Sequence, residues 1–362
     1  MNDLDFFYQT PLKNFKFINR KVFITSAKTI ISGCIGSGKT SLISEYLNKF
    51  KQNDRLYINL TDTRIDKNQV LKNLQAFIAK NNIKVLAIEN ISQNDIANLT
   101  SCFKHCEKIV FSTYDTNLKI DGFSNLKLNY LDYEEFISFF KKNIDQSMLF
   151  SHFLAHGGAV KSSFLDPTEN SEFLQNELKR GLEYQKIELL KECAFQISSE
   201  LNSFEIYKNI KAKTKVSKDS VYNKIYELEQ NGFIINIGKF NESKAKKRVF
   251  FSNFALKNSL ILKKDFNSVF KNAVFCELLK LKTDIFYTKE FDFYLPNRKI
   301  AILCVPFGIS EIVFLKFQKL RSVLKELNIS KLQVISVSNY DEVSQEGIRC
   351  EITPFYQWAL GF

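Results

Sequence analysis

The sequence lacks the features that would assign it to several classes at once. No run of about 18 apolar residues occurs in its 362 residues, so no segment reads as a membrane-spanning helix. Its start, MNDLDFFYQTPLK, has neither the basic opening nor the apolar stretch of a secretory signal, and the expectation is a cytoplasmic protein with no membrane partner. The seven cysteines (Cys34, Cys102, Cys106, Cys193, Cys276, Cys304, Cys350) are odd in number and show no paired spacing. Cys102 and Cys106 flank His105, but no second pair follows to complete a zinc site, so free thiols, buried or half-buried, are expected. His152 and His156 stand one helical turn apart without the acid of an H-E-x-x-H site, which leaves an ordinary helix surface. Glycine is scarce as well, with 12 residues in the chain, so a glycine-rich motif at fixed offsets is rarely an accident.

One such motif is present. Gly33-Cys34-Ile35-Gly36-Ser37-Gly38-Lys39-Thr40 matches G-x-x-x-x-G-K-[ST], the phosphate loop, with Ser41 following it. Its glycines let successive N–H groups turn inward on a triphosphate, and the helix behind adds its positive end. Lys39 would reach the β and γ phosphates, and Thr40 would offer a hydroxyl to Mg²⁺. An apolar run, Thr29-Ile30-Ile31, leads into the loop. A helical pattern through Leu42, Ile43, Tyr46, Leu47 and Phe50 leads out.

The flanking segments read as alternating strands and helices. Aromatic and apolar positions Phe6, Phe7, Phe15, Phe17 and Ile18 precede a strand-like Val22–Ile24, a leader placed to help form an adenine pocket. Strands follow at 54–60, 84–90, 108–113 and 126–130, with helices over 70–78, 133–142 and 148–155. In a parallel α/β sheet ligands gather at the carboxyl ends of the strands, so the end of the 84–90 strand should complete the site. There Glu89 can serve Mg²⁺ through water, whereas Asn90 stands where an acid usually orients the attacking water; an amide cannot accept that proton, and slow hydrolysis is expected. Ser112 or Thr113, ending the next strand, would sense the γ-phosphate. Arg20, Arg64 and Arg180 are the candidates for an arginine finger, and the sequence does not choose among them.

Charge is uneven. The net charge is +12, from 51 basic and 39 acidic residues, and between Glu205 and Arg248 there are 11 Lys/Arg against 5 Asp/Glu. Half of the excess thus sits in one short segment, which points to a polyanionic partner such as duplex DNA. The same segment reads as a winged helix-turn-helix: a helix over 204–213, a second opened by Ser217 and closed at Asn231-Gly232, then strands 233–237 and 248–251 around a basic wing. Lys218, Ser220, Asn223 and Lys224 would meet the groove, and Lys244, Lys246, Lys247 and Arg248 the phosphates. Alternatively the module docks a protein or acts as a lid. Gly157-Gly158 and the turn-rich 162–171 place a domain boundary near residue 165.

From 267 onward the order is helix, strand, strand, helix, strand, that of restriction-endonuclease-like modules. Such nucleases need an Asp on one strand and an acid-x-Lys on the next. Asp292 is present, with Glu277 as an upstream acid, but Cys304-Val305-Pro306 falls where the acid and lysine belong.

Taken together, the chain resembles prokaryotic AAA-type P-loop ATPases, related to the STAND ATPases, that carry a winged helix and a C-terminal nuclease-like module. The likeness rests on Gly33–Thr40, with weaker support from Leu131-Asp-Tyr-Glu-Glu-Phe136 and Gly157-Gly158. It departs at Asn90, at Val160 after the glycines, and at Cys304–Pro306. It implies an α/β fold: a P-loop parallel-sheet domain over 1–165, a helical linker and winged helix over 166–260, and a small degenerate restriction-endonuclease-like α/β domain over 261–362. It also implies ATP and Mg²⁺ as cofactors, and DNA, a protein partner or a second copy as partners. Two further readings stay open, a non-hydrolysing ATP-stabilised switch that binds protein, and an active nuclease.

Overall fold

The structure is a computed structural model and describes residues 3–12, 20–140 and 144–361. The chain divides into two compact units, one of residues 1–130 with 230–232, the other of 131–229 with 233–362. Phe15, Phe17 and Ile18 of the expected leader lie outside the described residues, as do positions 141 and 142 of the expected 133–142 helix.

The first unit follows α1 (Asp3–Gln9), β1 (Lys28–Ser32), α2 (Lys39–Leu47), β2 (Arg55–Asn59), α3 (Lys67–Asn81), β3 (Val85–Glu89), α4 (Ile96–Leu99), β4 (Lys108–Thr113) and β5 (Ser124–Lys127). The five strands form one parallel sheet, ordered β2-β3-β4-β1-β5, consistent with a P-loop nucleotide-hydrolase fold. The central strands are apolar throughout because they serve two cores, and successive side chains alternate between them. Ile30, Leu86, Ile88, Ile109 and Phe111 face a core built with α3 and with Leu4 and Phe7 of α1. Ile31, Val85, Ala87 and Val110 face the other, against Leu42, Ile43 and Leu47 of α2. Both Cys102 and Cys106 are buried in the first of these cores.

Two expectations change here. Val22–Ile24 forms no strand; Phe23 is exposed and the run is too short to pair. The fifth strand is Ser124–Lys127 rather than 126–130, and on this solvated edge polar residues pair with β1.

The second unit opens with α5 (Tyr133–Ile137), α6 (Gln146–His156), α7 (Pro167–Gly181), α8 (Tyr184–Gln196), α9 (Ser203–Lys213) and α10 (Lys218–Gln230). The hairpin of β6 (Ile234–Ile237) and β7 (Arg248–Phe251), then α11 (Leu256–Leu260) and α12 (Phe266–Leu278), follow. The last part is β8 (Phe293–Leu295), β9 (Ile300–Cys304), α13 (Ser310–Glu326), β10 (Lys331–Ser336), β11 (Asp341–Gln345), β12 (Ile348–Pro354) and α14 (Phe355–Trp358). Its sheet runs β11-β12-β10-β9-β8, with β9, β10 and β12 parallel and both edge strands antiparallel. Of the strand-like 285–295 only 293–295 forms a strand.

The segment 162–171, expected as turns, contains a helix start. Asp166 and Glu169 make a reciprocal capping box and Pro167 takes the first helical position, where its missing N–H costs nothing. The Gly157-Gly158 break holds: Gly157 ends α6 at φ 70°, and a Cβ there would strike the Asn253 side chain. His156, expected on a helix surface, is instead buried, its ring nitrogens 2.7 and 3.0 Å from the carbonyl oxygens of His152 and Leu165.

Asn272 of α12 secures the hairpin. Fully buried, it accepts from the Phe251 N–H at 2.9 Å and donates to the Phe251 carbonyl at 2.7 Å, so β7 is held to α12 where it has no second strand. Asn272→Ala would orphan the Phe251 N–H, at about 1–3 kcal/mol when buried and unpaired, and leave its carbonyl only the weak Cys276 thiol donor at 3.5 Å. A loss of roughly 1–4 kcal/mol is expected in urea denaturation, and a loss well under about 1 kcal/mol would show that the clamp is unimportant.

Candidate functional site

The phosphate loop hangs between the end of β1 and the start of α2. Gly36 and Gly38 take φ of 78° and 96°, so their N–H groups can turn where an L side chain would resist. Gly33 is required for a different reason: a Cβ there would lie 2.5 Å from the Leu128 carbonyl oxygen. Three groups fasten the loop from outside. Arg20 donates to the carbonyls of Ser37 and Asn129, both at 2.8 Å, and the Tyr130 hydroxyl donates to the Ile35 carbonyl at 2.6 Å. The Gly33 N–H bonds the Thr113 carbonyl at 3.3 Å.

Lys39 lies inside this frame. Its ammonium donates to the carbonyls of Gly33 at 2.6 Å and Cys34 at 3.0 Å, and stands 4.2 Å from the centroid of the Tyr114 ring. Burial is the main influence on it and pulls its pKa down to about 8, against the smaller effects of Cys34 and Glu89. The Ser37 hydroxyl is fully buried and has no hydrogen-bond partner among the described residues. Cys34 is buried; Ile35, Gly36, Thr40 and Ser41 are half-buried at the loop and the head of α2.

Glu89, Ser112 and Thr113, three of the polar positions expected at the strand ends, are buried there, and Asn90 is half-buried just beyond β3. Glu89 takes a hydrogen bond from Tyr57 of β2, and that phenol's pKa is raised by burial first and by Glu89 second. Asn90 sits at φ 63°, which turns its side chain aside: the amide donates to Asn59 at 2.9 Å and Thr61 at 3.1 Å. Its N–H reaches the Ser112 hydroxyl at 3.3 Å, and Thr113 accepts from the Asp115 N–H at 3.1 Å. Together these groups place one buried ammonium, two loop carbonyls and one buried carboxylate at the strand ends beside the head of α2.

No family model matches the chain. It is 22% identical over 414 residues to the uncharacterized protein MJ1544 of Methanocaldococcus jannaschii, covering 97% of this chain and 92% of that protein. Solved structures similar to the chain include three. One is a STAND protein with a tetratricopeptide repeat sensor from Pyrococcus horikoshii (17% identity, TM-score 0.27, 72% of this chain), of which this chain spans 46%. The others are Aeropyrum pernix ORC1 in complex with DNA (13%, TM-score 0.34, 66% of this chain and 87% of that one) and Drosophila ORC bound to AT-rich DNA and Cdc6 (11%, TM-score 0.22, 62% and 82%).

Of the residues expected to meet nucleic acid, the structure leaves most in solvent and ties down two. Lys218, Asn223, Lys244, Lys246 and Lys247 are exposed, and Ser220 is half-buried. Lys224 instead pairs with Glu183 at 2.5 Å, and Arg248 lies over the Tyr287 ring at 4.1 Å and 3.9 Å from Asp292. The wing is also anchored: Phe240 inserts between Phe286 and Tyr294 and packs on the C-terminal sheet. Of the arginines, Arg20 is committed to loop carbonyls, while Arg64 and Arg180 pair locally with Asp62 and Glu177.

The nuclease-like positions do not assemble. Asp292 is bound by Lys271 at 2.6 Å and by the Cys304 N–H at 2.8 Å, and no group of three metal-ligating side chains occurs among the described residues. Glu277 is directed elsewhere, accepting from the Tyr133 N–H at 2.7 Å. Sequence reasoning missed Tyr57, Tyr114 and Lys271, and only the strand register and side-chain direction reveal them.

Glu277 generates a pH test. Burial pushes its pKa up to about 7 against the opposing influence of Lys280. A raised carboxyl pKa means stability fully present below the ordinary value near 4.5 and lost as pH rises through about 7. Relative to Glu277→Gln, which keeps the acceptor for Tyr133, wild type should lose roughly 2–4 kcal/mol between pH 5 and pH 8 in urea denaturation. Parallel pH profiles would refute the assignment.

Proposed function

We propose that the chain is an AAA-type P-loop ATPase that binds ATP with Mg²⁺, hydrolyses it slowly and couples its nucleotide state to DNA or a partner through a winged helix. The observation that carries this reading is the loop over Gly33–Thr40, with two left-handed glycines, the buried Lys39 ammonium and the unpartnered Ser37 hydroxyl. Two observations support a bound anion: a Cβ at Gly33 would strike the Leu128 carbonyl oxygen and crowd the Ser37 hydroxyl, so the close loop requires glycine there, and a buried hydroxyl with no partner among the described residues costs about 1–3 kcal/mol unless something binds it.

In this reading the loop amides and Lys39 bind the β and γ phosphates, and the carbonyls of Gly33 and Cys34 give Lys39 up when phosphate enters. Thr40 and Glu89 would hold Mg²⁺, which when bound neutralises charge developing on the phosphates. Thr113, whose carbonyl bonds the Gly33 N–H of the loop, and Ser112, whose hydroxyl bonds the Asn90 N–H just beyond β3, are suited to register the γ-phosphate. Within the chain we assign 1–165 to the ATPase domain, 166–260 to the linker and winged helix, and 261–362 to a nuclease-like domain without nuclease activity.

A second reading has its own support. Asn90 carries an amide, which has no atom basic enough to draw a proton from water, and its NH2 is committed to Asn59 and Thr61. This favours a switch that holds ATP without turning it over.

The test is phosphate release at saturating MgATP with and without duplex DNA, with Lys39→Ala as the blank. Turnover of the ATPase reading is expected to exceed the blank and rise with DNA; tight ATP binding at the blank's rate would establish the switch. Lys39→Ala should weaken ATP binding by about 10-fold or more. Because the unliganded Lys39 titrates near 8, affinity should fall above that pH, and binding near pH 9 should take up a proton in calorimetry. Equal affinity in Lys39→Ala would show that the site has been misassigned.

A further inference from the structure

The α9–α10 face carries a feature that the duplex-groove reading does not use. Large aromatic side chains reach solvent on it, with Phe204 48% and Tyr226 60% exposed and Tyr207 and Tyr222 half-buried. Lysines are interleaved with them. Lys208 lies 4.8 Å from the Phe204 centroid and Lys211 5.5 Å from Tyr207, while Lys218 reaches Phe204 at 5.7 Å and Tyr222 at 5.4 Å. Phe204 and Tyr207 are themselves neighbours, with centroids 6.2 Å apart.

The sequence spacing produces this row. Phe204 and Lys208, Tyr207 and Lys211, and Lys218 and Tyr222 are each four residues apart, so each pair shares one side of its helix. Lys218 joins the two helices by lying between a ring of α9 and a ring of α10. Tyr226 extends the α10 side by one more turn. Beside the row, the turn between the helices forms an open groove of about 440 Å³ lined by Lys211, Lys213 and Lys215.

Exposed rings are costly to leave in water, and surface cation–π contacts recover only about 0.5–1 kcal/mol each. The charge favours an anion: between Ser203 and Tyr222 there are five lysines against two acids, Glu205 and Asp219, and with Lys213 paired to Glu192 at 2.9 Å, Lys208, Lys211, Lys215 and Lys218 remain. A reader of duplex DNA would present hydrogen-bonding groups from the start of its second helix. Here Lys224 is held by Glu183, and Lys218 lies over rings. Flat π-faces alternating with cations match unpaired bases alternating with phosphates.

We infer that the α9–α10 face binds single-stranded nucleic acid, with Phe204, Tyr207 and Tyr222 stacking bases and Lys208, Lys211 and Lys218 meeting phosphates. This rests on the proposed nucleic-acid role of the winged helix and names its ligand. Stacking tolerates any base, so the face should show little sequence preference.

The experiment is fluorescence anisotropy with the full chain and four probes of equal length: oligothymidylate, oligouridylate, an abasic phosphodiester strand and duplex DNA. Both base-bearing strands are expected to bind at least about 10-fold tighter than the abasic one. Phe204→Leu and Tyr222→Leu, which keep apolar volume but remove the π-face, should each weaken them by about 5- to 100-fold and leave the abasic strand unchanged. Lys211→Glu should weaken all strands together and shallow the salt dependence. The ratio of oligothymidylate to oligouridylate then tells DNA from RNA. Duplex binding that is tighter and indifferent to loss of the rings would overturn the inference and leave the nucleic-acid reading standing. Binding to none of the four probes would remove both.

Discussion

A buried lysine ammonium sets the terms for the loop between β1 and α2. An ammonium removed from water needs acceptors, and Lys39 finds them in two carbonyls of its own loop, in the Tyr114 ring and in the field of Glu89. Those carbonyls point inward only because the loop curls through left-handed glycines. The curl in turn persists because Arg20 and Tyr130 hold carbonyls of Ser37 and Ile35 from outside. Charge burial, backbone conformation and distant side chains form one constraint, in which losing any member leaves another unsatisfied.

The parts fixed by short-range pattern could be read directly. The Gly33–Thr40 spacing and the apolar runs at 29–31, 85–88 and 109–111 gave the loop and the central strands, because fully buried parallel strands have no alternation to misread. The edges were less legible. β5 is mostly solvent-exposed polar residues, so hydrophobic pattern placed it two residues late. At 162–171, Asp, Pro, Thr, Glu and Asn suit a turn and a capped helix start equally well, and tertiary packing decides between them.

The site residues divide in the same way. The strand-end places of Glu89 and Ser112 follow from the apolar runs, and the place of Lys39 at the head of α2 follows from the loop spacing. Arg20 was legible only as one of three arginines; its link to Asn129 joins residues 109 positions apart, which no local pattern reports. Lys224 and Arg248 looked like free cations because spacing cannot see Glu183 or Asp292 across the fold. Ion pairing within the chain therefore redistributes the basic surface. The charge excess of the segment is real, but the cations available to a partner are those beside the aromatic row and on the outer wing.

That redistribution bears on how the winged segment can act. A wing free to follow a phosphate backbone should be a solvated hairpin, yet Phe240 and Arg248 fasten this one to the C-terminal sheet through Tyr287, Tyr294 and Asp292. Asp292, the residue that would begin a nuclease centre, is thus neutralised by Lys271 and Arg248, and its remaining capacity is taken by the Cys304 N–H. A carboxylate so paired makes a joint: removing it would leave two buried or half-buried cations facing one another, whereas keeping it holds hairpin, α12 and sheet as one body. The hairpin is therefore tied to α12 and to the last sheet by charge as well as by packing, and Arg248 and Asp292 are engaged with each other rather than held free for a ligand.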